Sequence, residues 1–332
     1  MAEVKIFAGS AGKPFAQAMC SYLGVPLLPT ETLRFSEGNT YVKIGEHVRD
    51  EEIYLVQPIG GGARTLKSGG ANDDFVELLF WMDAFKRSGA KYVTAVIPYF
   101  SYAKGDKKDE PRVSIRARVI AESIELAGAD RIITMDLHAP QIQGFFKKPV
   151  DHLYARPVLG AYIASLALED LVIVAPDSGF VKSARRFAAC LDLPVAIADK
   201  TRRCHDESAE ILDIVGDVEG MSAMIVDDFS LSGGTLVELA LRLEDMGAKR
   251  IYACLSHLPL SEEGVARLEA SRIELVISTD SAPGSLGLDP ERFKIVSVAP
   301  LFAEVVRRMQ DRKPIGDLLE SVPPALLPKA AP

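Results

Sequence analysis

Cysteine is scarce in this chain of 332 residues, and its four copies, Cys20, Cys190, Cys204 and Cys254, are scattered. No C-x-x-C pair occurs, so neither a zinc site nor a disulfide framework is supported. A surplus of positive charge is also missing: 38 Lys and Arg face 46 Asp and Glu, giving a net charge of −8. That balance argues against a nucleic-acid partner, and any basic site for an anionic ligand must be built locally. No apolar stretch reaches the roughly 18 residues that span a bilayer, so no membrane partner is expected. The opening Met1-Ala2-Glu3-Val4-Lys5 lacks a signal-peptide pattern, which leaves a cytoplasmic enzyme as the expectation.

What the chain does have is alternation. Short apolar runs, many β-branched, recur at Val4–Phe7, Glu52–Val56, Tyr92–Ile97, Arg131–Met135 and Leu171–Ala175. They continue at Val195–Ala198, Ala223–Val226, Arg250–Leu255, Glu274–Thr279 and Ile295–Val298. Runs of this length fit strands covered on both faces. Helical spacing separates them at Phe15–Leu23, Asp74–Gly89, Ile115–Gly128, Ala155–Leu166, Phe180–Leu191, Leu236–Gly247 and Leu301–Asp311. The order implies an α/β fold with mostly parallel sheets. The two halves share a plan, which predicts two related domains, 1–152 and 153–320. The helix at 301–311 is expected to fold back on the first, and the Pro- and Ala-rich stretch 321–332 to be a frayed tail.

The densest chemistry lies at Ile225-Val226-Asp227-Asp228-Phe229-Ser230-Leu231-Ser232-Gly233-Gly234-Thr235. A strand precedes it and a helix follows, so the Ser-Gly-Gly-Thr turn offers backbone N–H groups and a helix dipole to a phosphate. The loop is neither a Gly-Lys-Ser/Thr phosphate loop nor a Gly-x-Gly-x-x-Gly dinucleotide turn. Carboxylates bind phosphate badly but accept hydrogen bonds from vicinal hydroxyls, directly or through Mg²⁺. The turn therefore suits both ends of a sugar phosphate.

Three other segments sit at strand ends, where α/β sheets bind ligands. Asp136-Leu137-His138 follows Ile132–Met135, and Ala175-Pro176-Asp177-Ser178-Gly179 ends another strand; His138 and Asp177 could share one Mg²⁺. Asp199-Lys200-Thr201-Arg202-Arg203 begins a polar segment that reads either as a solvated loop or as a cationic lid over transferring phosphates. Lys107-Lys108 and Arg116-Ala117-Arg118 read mainly as solvent-facing charge. The glycine-rich Gly60–Gly70 reads as a flap over phosphates or as a plain surface loop.

Taken together these residues resemble the ribose-phosphate pyrophosphokinase family over nearly the whole chain. The carriers are Phe35-Ser36-Glu37-Gly38, Pro98-Tyr99-Phe100-Ser101-Tyr102-Ala103, Met135–Phe146, Ile197–Lys200, Gly216–Gly220 and Ser297–Leu301. The resemblance implies two tandem phosphoribosyltransferase-like domains. It also implies Mg²⁺-dependent transfer of the β,γ-diphosphoryl group of ATP to the 1-hydroxyl of ribose 5-phosphate. By the same resemblance Lys200 and Arg202 are the catalytic cations, and His138 and Asp177 hold the metal. ATP would meet Phe35, Glu37, Gly38, Asn39, Lys104, Gly105, Asp106 and His138. Ribose 5-phosphate would meet Asp227, Asp228, Leu231, Ser232, Gly233, Gly234 and Thr235. Phe35, Glu37 and Asn39 would reach a neighbouring subunit's adenine, which implies a homo-oligomer, often a hexamer built from dimers.

The chain departs from the family pattern at several points. Leu231 stands for a usual Asp, Asn39 for a usual Glu, and Lys104-Gly105 for a usual Arg-Gln. Ser178-Gly179-Phe180 differs from the usual glycine-rich helix start, and Gly60–Gly70 lengthens a loop. Leu231 opens two alternatives: transfer to a different sugar phosphate, or a catalytically weak regulatory paralogue.

Overall fold

The computed structural model describes residues 4–60, 69–201, 210–284, 288–323 and Leu326, with only the backbone of 200, 201 and 210–212. The first half supplies β1 (Lys5–Ala8), β2 (Thr30–Arg34), β3 (Thr40–Ile44), β4 (Glu52–Val56), β5 (Tyr92–Ile97), β6 (Arg131–Met135) and β7 (Val150–Leu153). Its helices are α1 (Lys13–Leu23), α2 (Ala71–Arg87) and α3 (Arg116–Ala127). The second half supplies β8 (Leu171–Ala175), β9 (Val195–Thr201), β10 (Glu210–Val215), β11 (Ser222–Phe229), β12 (Arg250–His257), β13 (Leu275–Thr279) and β14 (Phe293–Val296). With them come α4 (Arg156–Ser165), α5 (Val181–Leu191), α6 (Gly234–Asp245), α7 (Glu262–Glu269) and α8 (Ala299–Gln310).

Apolar runs such as Tyr92–Ile97 and Leu171–Ala175 are buried on both faces, which suits strands sandwiched between helical layers. They assemble into a five-stranded sheet of order β1-β4-β5-β6-β7 and a seven-stranded sheet of order β10-β9-β8-β11-β12-β13-β14. Every pairing in the first is parallel, and in the second only β9–β10 is antiparallel. This is the expected α/β fold with mostly parallel sheets. Strand order reverses between β8 and β11, and such a switch opens a crevice at the strands' carboxyl ends.

The halves are joined by packing. Phe15 of α1 meets Phe302 of α8 edge-on at 5.2 Å, and Tyr22 donates to Glu304 at 3.1 Å. Gln310 reaches back to Tyr54 at 3.0 Å and Glu52 at 3.1 Å. One apolar cluster runs through both halves, from Ile6 and Ile133 to Ile173 and Phe302. Leu326 is only 3% exposed and joins that cluster, so the tail is packed rather than frayed at this residue.

Four elements differ from the sequence expectation. The hairpin β2–β3 escapes an apolar-run search because Thr-Glu-Thr-Leu-Arg alternates polar residues over a half-buried face. Asp151 and His152 hide β7. The segment after Ala198 is not a loop start: β9 runs on to Thr201 and pairs with β10. Helix α7 is short, and its signal is a cap, the Ser261 hydroxyl accepting the Gly264 amide at 3.0 Å.

Candidate active site

The turn after β6 is backbone under constraint. Asp136 has φ +38°, an uncommon value for a residue with a side chain. Its carboxylate accepts the Ala155 amide at 2.9 Å, and the Leu137 amide donates to His152 Nε2 at 2.9 Å. Those anchors aim His138 across the crevice, where its Nδ1 lies 2.5 Å from Asp228 Oδ2. Asp228 comes from the end of β11 in the other half, so two sequence-distant strand ends meet in one ion pair.

The hydrogen bond with Asp228 raises the His138 pKa, outweighing the opposing effect of burial. Burial would lift the Asp228 carboxyl, but the His138 hydrogen bond and charge bring it below the usual value. Its neighbour Asp227 goes the other way, pushed well up by burial and then by the Asp228 charge. The two adjacent carboxyls are thereby pushed in opposite directions.

The signs give a pH window for the metal-free protein. The pair stabilises the fold fully between the ordinary carboxylate value of 3.8 and the ordinary imidazole value of 6.5. Below the first it is lost as Asp228 protonates, and above the second it is lost as pH rises through the raised pKa of His138. Thermal unfolding of the chelated wild type and His138→Gln should differ most near about pH 5 and converge as pH rises. A difference that instead grows with pH would remove the ion pair.

The crevice is a cavity of about 610 Å³. Asp106, His138, Asp177, Asp227 and Asp228 line it, and Asp177 also caps α5 by accepting the Phe180 amide at 3.0 Å. Lys104 points its ammonium at the Phe229 ring, 4.1 Å from the centroid, which joins the halves beside His138. Gly105 is buried, and a Cβ there would lie 2.8 Å from the Arg116 side chain. At the head of α6, Gly233 takes φ +69°, which a glycine adopts without strain. Its amide donates to the Ser230 hydroxyl at 3.1 Å, and the Gly234 amide to Ser232 at 3.4 Å. Leu231 is half exposed in this turn, and Ser232 is steadied by Arg267, which donates to its carbonyl at 2.9 Å.

Other candidates are not brought together with these. Phe35, Glu37, Gly38 and Asn39 form the tip of the β2–β3 hairpin, closed by the Phe35 amide on Asn39 O at 2.8 Å, and do not line the cavity. Arg202 lies outside the described residues, as does the Lys200 side chain and most of the Gly60–Gly70 loop. Lys107, expected mainly to face solvent, lines the cavity, and so do three cations that sequence reasoning missed: Arg156, Lys182 and Arg186. Lys182 and Arg186 stand four apart on α5, a one-face signal, but which face meets the crevice is decided by packing.

The donor set suits a hard cation shared with phosphates. Asp177, Asp227 and Asp228 supply oxygens, and His138 has its Nδ1 on a carboxylate, the arrangement that frees Nε2 for a metal. Among the described residues no group of three or more His, Cys, Asp or Glu encloses a metal by itself.

Residues 4–128 match the family model for the N-terminal domain of ribose phosphate pyrophosphokinase, and 204–320 match the phosphoribosyl synthetase-associated domain. The ribose-phosphate pyrophosphokinase of Caldanaerobacter subterraneus subsp. tengcongensis is 42% identical over 317 residues, 95% of this chain and 98% of the relative. That of Aquifex aeolicus is 41% identical over 322 residues, covering 96% and 99%. The crystal structure of phosphoribosylpyrophosphate synthetase from Mycobacterium smegmatis superposes with a TM-score of 0.84 at 34% identity, covering 93% of this chain and 99% of that one. With both domain models matched and full-length relatives near this identity, the chain belongs to the ribose-phosphate pyrophosphokinase family.

Proposed function

We propose that this enzyme transfers the β,γ-diphosphoryl group of ATP to the 1-hydroxyl of ribose 5-phosphate, giving AMP and 5-phosphoribosyl 1-diphosphate. The sugar oxygen bonds to the β-phosphorus, the bond from that phosphorus to the α,β-bridging oxygen breaks, and the hydroxyl proton is released. The observation that carries the reading is the crevice itself. There the Asp136–His138 edge of one sheet faces the Asp227–Asp228 end of β11 in the other, with cations along the wall.

Asp227 and Asp228 would hold the ring hydroxyls, and Ser232–Thr235 the 5-phosphate, so that the poor nucleophile is positioned before reaction. Lys104, Gly105, Asp106 and His138 would meet ATP, and Lys200 and Arg202 would neutralise charge on the transferring oxygens. His138 and Asp177 would hold Mg²⁺, which supplies charge neutralisation on the phosphates when bound. We also read residues 1–152 and 153–320 as two domains. No helix among the described residues is long and apolar enough to cross a membrane, and a cytoplasmic site suits an ATP substrate.

A homo-oligomer completes the reading. Leu33, Phe35 and Tyr41 on the hairpin are 44–51% exposed, and Val76 and Phe80 of α2 each 39%. An apolar face of this kind on a hairpin suits a second copy, with Phe35 carried toward the neighbour's adenine.

³¹P NMR of purified protein with Mg²⁺, ATP and ribose 5-phosphate tests the reaction. AMP with a new sugar diphosphate is the expected result. AMP formed only with another sugar phosphate would move the specificity to that sugar, and no reaction with any sugar would leave the regulatory paralogue. Leu231→Asp bears on the same choice, because the turn lies at the sugar end. It should change the KM for ribose 5-phosphate several-fold, about 1 kcal/mol for one added hydrogen-bond acceptor, and leave ATP affinity alone. An effect confined to ATP would mean the turn is assigned to the wrong substrate.

A further inference from the structure

His257 closes β12 in the second sheet and is 2% exposed, yet it touches the first sheet's catalytic edge. Its Nε2 lies 3.2 Å from the Met135 carbonyl and 3.3 Å from that of Asp136. Carbonyls only accept, so Nε2 carries the proton and donates to both. The other ring nitrogen must then accept, and the Ser281 hydroxyl stands 2.7 Å from Nδ1. Ser281 in turn lies 2.7 Å from the buried Thr279 hydroxyl, which also reaches the Ser256 carbonyl at 2.6 Å. Burial keeps the ring neutral by lowering its pKa. The Tyr99 ring covers it at 4.9 Å. The two carbonyls therefore select the tautomer, Ser281 completes it at Nδ1, and the ring so fixed grips the strained turn.

The other anchors of the turn, the Leu153 carbonyl and the His152 ring on its main chain and the Ala155 amide on the Asp136 carboxylate, come from the first half or its edge. His257 comes from the second. We propose that His257 is a positioning residue: by pinning the carbonyls of Met135 and Asp136 to the second sheet, it sets where His138 stands relative to Asp228 and the sugar. It lies under the site beside a hollow of only about 10 Å³, too small for substrate. The proposal rests on the diphosphoryl-transfer reading, because it assigns ATP to one side of the crevice and the sugar to the other.

Three variants test it. His257→Phe keeps a ring and removes the donor, His257→Gln keeps an N–H at similar reach, and Ser281→Ala removes the polar partner that steadies Nδ1 without touching the turn. With the first, kcat should fall about 100-fold, the scale of an ångström-sized misplacement. The KM for ribose 5-phosphate should stay within about twofold, since its cradle sits wholly on the second half. His257→Gln should recover about tenfold of the loss, and Ser281→Ala should fall between. Hydrogen exchange at the Asp136 and Leu137 amides, without substrates, should quicken in the same order. A His257→Phe enzyme near wild-type turnover, equal losses in Phe and Gln, or a sugar KM that moves with kcat would overturn the proposal. If His257→Phe does not fold, Ser281→Ala decides by the same criteria. If the wild type makes no AMP, the reaction assigned above is wrong, and the exchange order still tests the pin.

Discussion

Asp228→Ala is expected to lower kcat/KM for ribose 5-phosphate by about a thousandfold, the scale seen when a preorganised polar contact to a reacting group is removed. Asp228 does three things at once. It pairs with His138 at 2.5 Å, accepts the Phe229 amide at 2.8 Å, and lines the crevice beside Asp227. Alanine removes the acceptor proposed for the sugar and leaves His138 without its hydrogen-bond partner. It also takes away the negative charge that helps push the Asp227 carboxyl up, so the proton inventory of the site changes. Asp228→Asn separates these effects. It keeps the shape and an acceptor for Phe229 but discards the charge, so it should retain more sugar affinity than alanine while losing most turnover. Steady-state kinetics on both variants, with circular dichroism to confirm the fold, measures the difference. An alanine variant that turns over ribose 5-phosphate normally would remove Asp228 from the site.

Lys200→Ala should cost turnover even more, about 10³- to 10⁵-fold by analogy with other cations that stabilise transferring phosphoryl groups. Thermal stability should hardly change. Strand β9 pairs with β8 only from Val195 to Ile197, so beyond that point it is supported by β10 alone. Lys200 opposite Ile211 thus sits on a two-stranded ribbon that projects past the sheet. In the proposed reaction that ribbon is the element that would carry Lys200 to the crevice. A cation that acts only when the ribbon closes contributes to the transition state more than to substrate binding. The expected signature is a large drop in kcat with both KM values within a few-fold. Near-normal turnover, or a loss entirely in KM, would end the mobile-cation role.

The strands Tyr92–Ile97, Arg131–Met135 and Leu171–Ala175 were legible to the residue because each is short, apolar and buried on both faces. The β2–β3 hairpin and β10 were not. The hairpin mixes polar and apolar residues, and charged Glu210 and Asp213 interrupt β10; they are strands because of what they pair with, α2 beneath the hairpin and β9 beside β10. The two chemical turns could also be found locally. Strand, carboxylates, small residues and helix stand in fixed order there, so Asp136-Leu137-His138 and Asp227-Asp228 needed no partner to be noticed.

Their meeting was a different matter. His138 and Asp228 are 90 residues apart and belong to different sheets. Local pattern decides which strand end a residue occupies; only packing decides which two ends share a crevice. The same limit hid Lys182 and Arg186, whose helix face is chosen by the apolar residues beneath it. It hid His257 too, which lies just past the apolar run Arg250–Leu255 and works only because the first sheet's edge arrives within 3.2 Å of it. Sequence alone determined the α/β alternation, the Ser-Gly-Gly-Thr turn and the pair of carboxylates, since all depend on contacts within a few residues. Tertiary structure decided the ion pair, the split of the two carboxyl pKa values and the pin between halves, because burial and long-range contact set each of them.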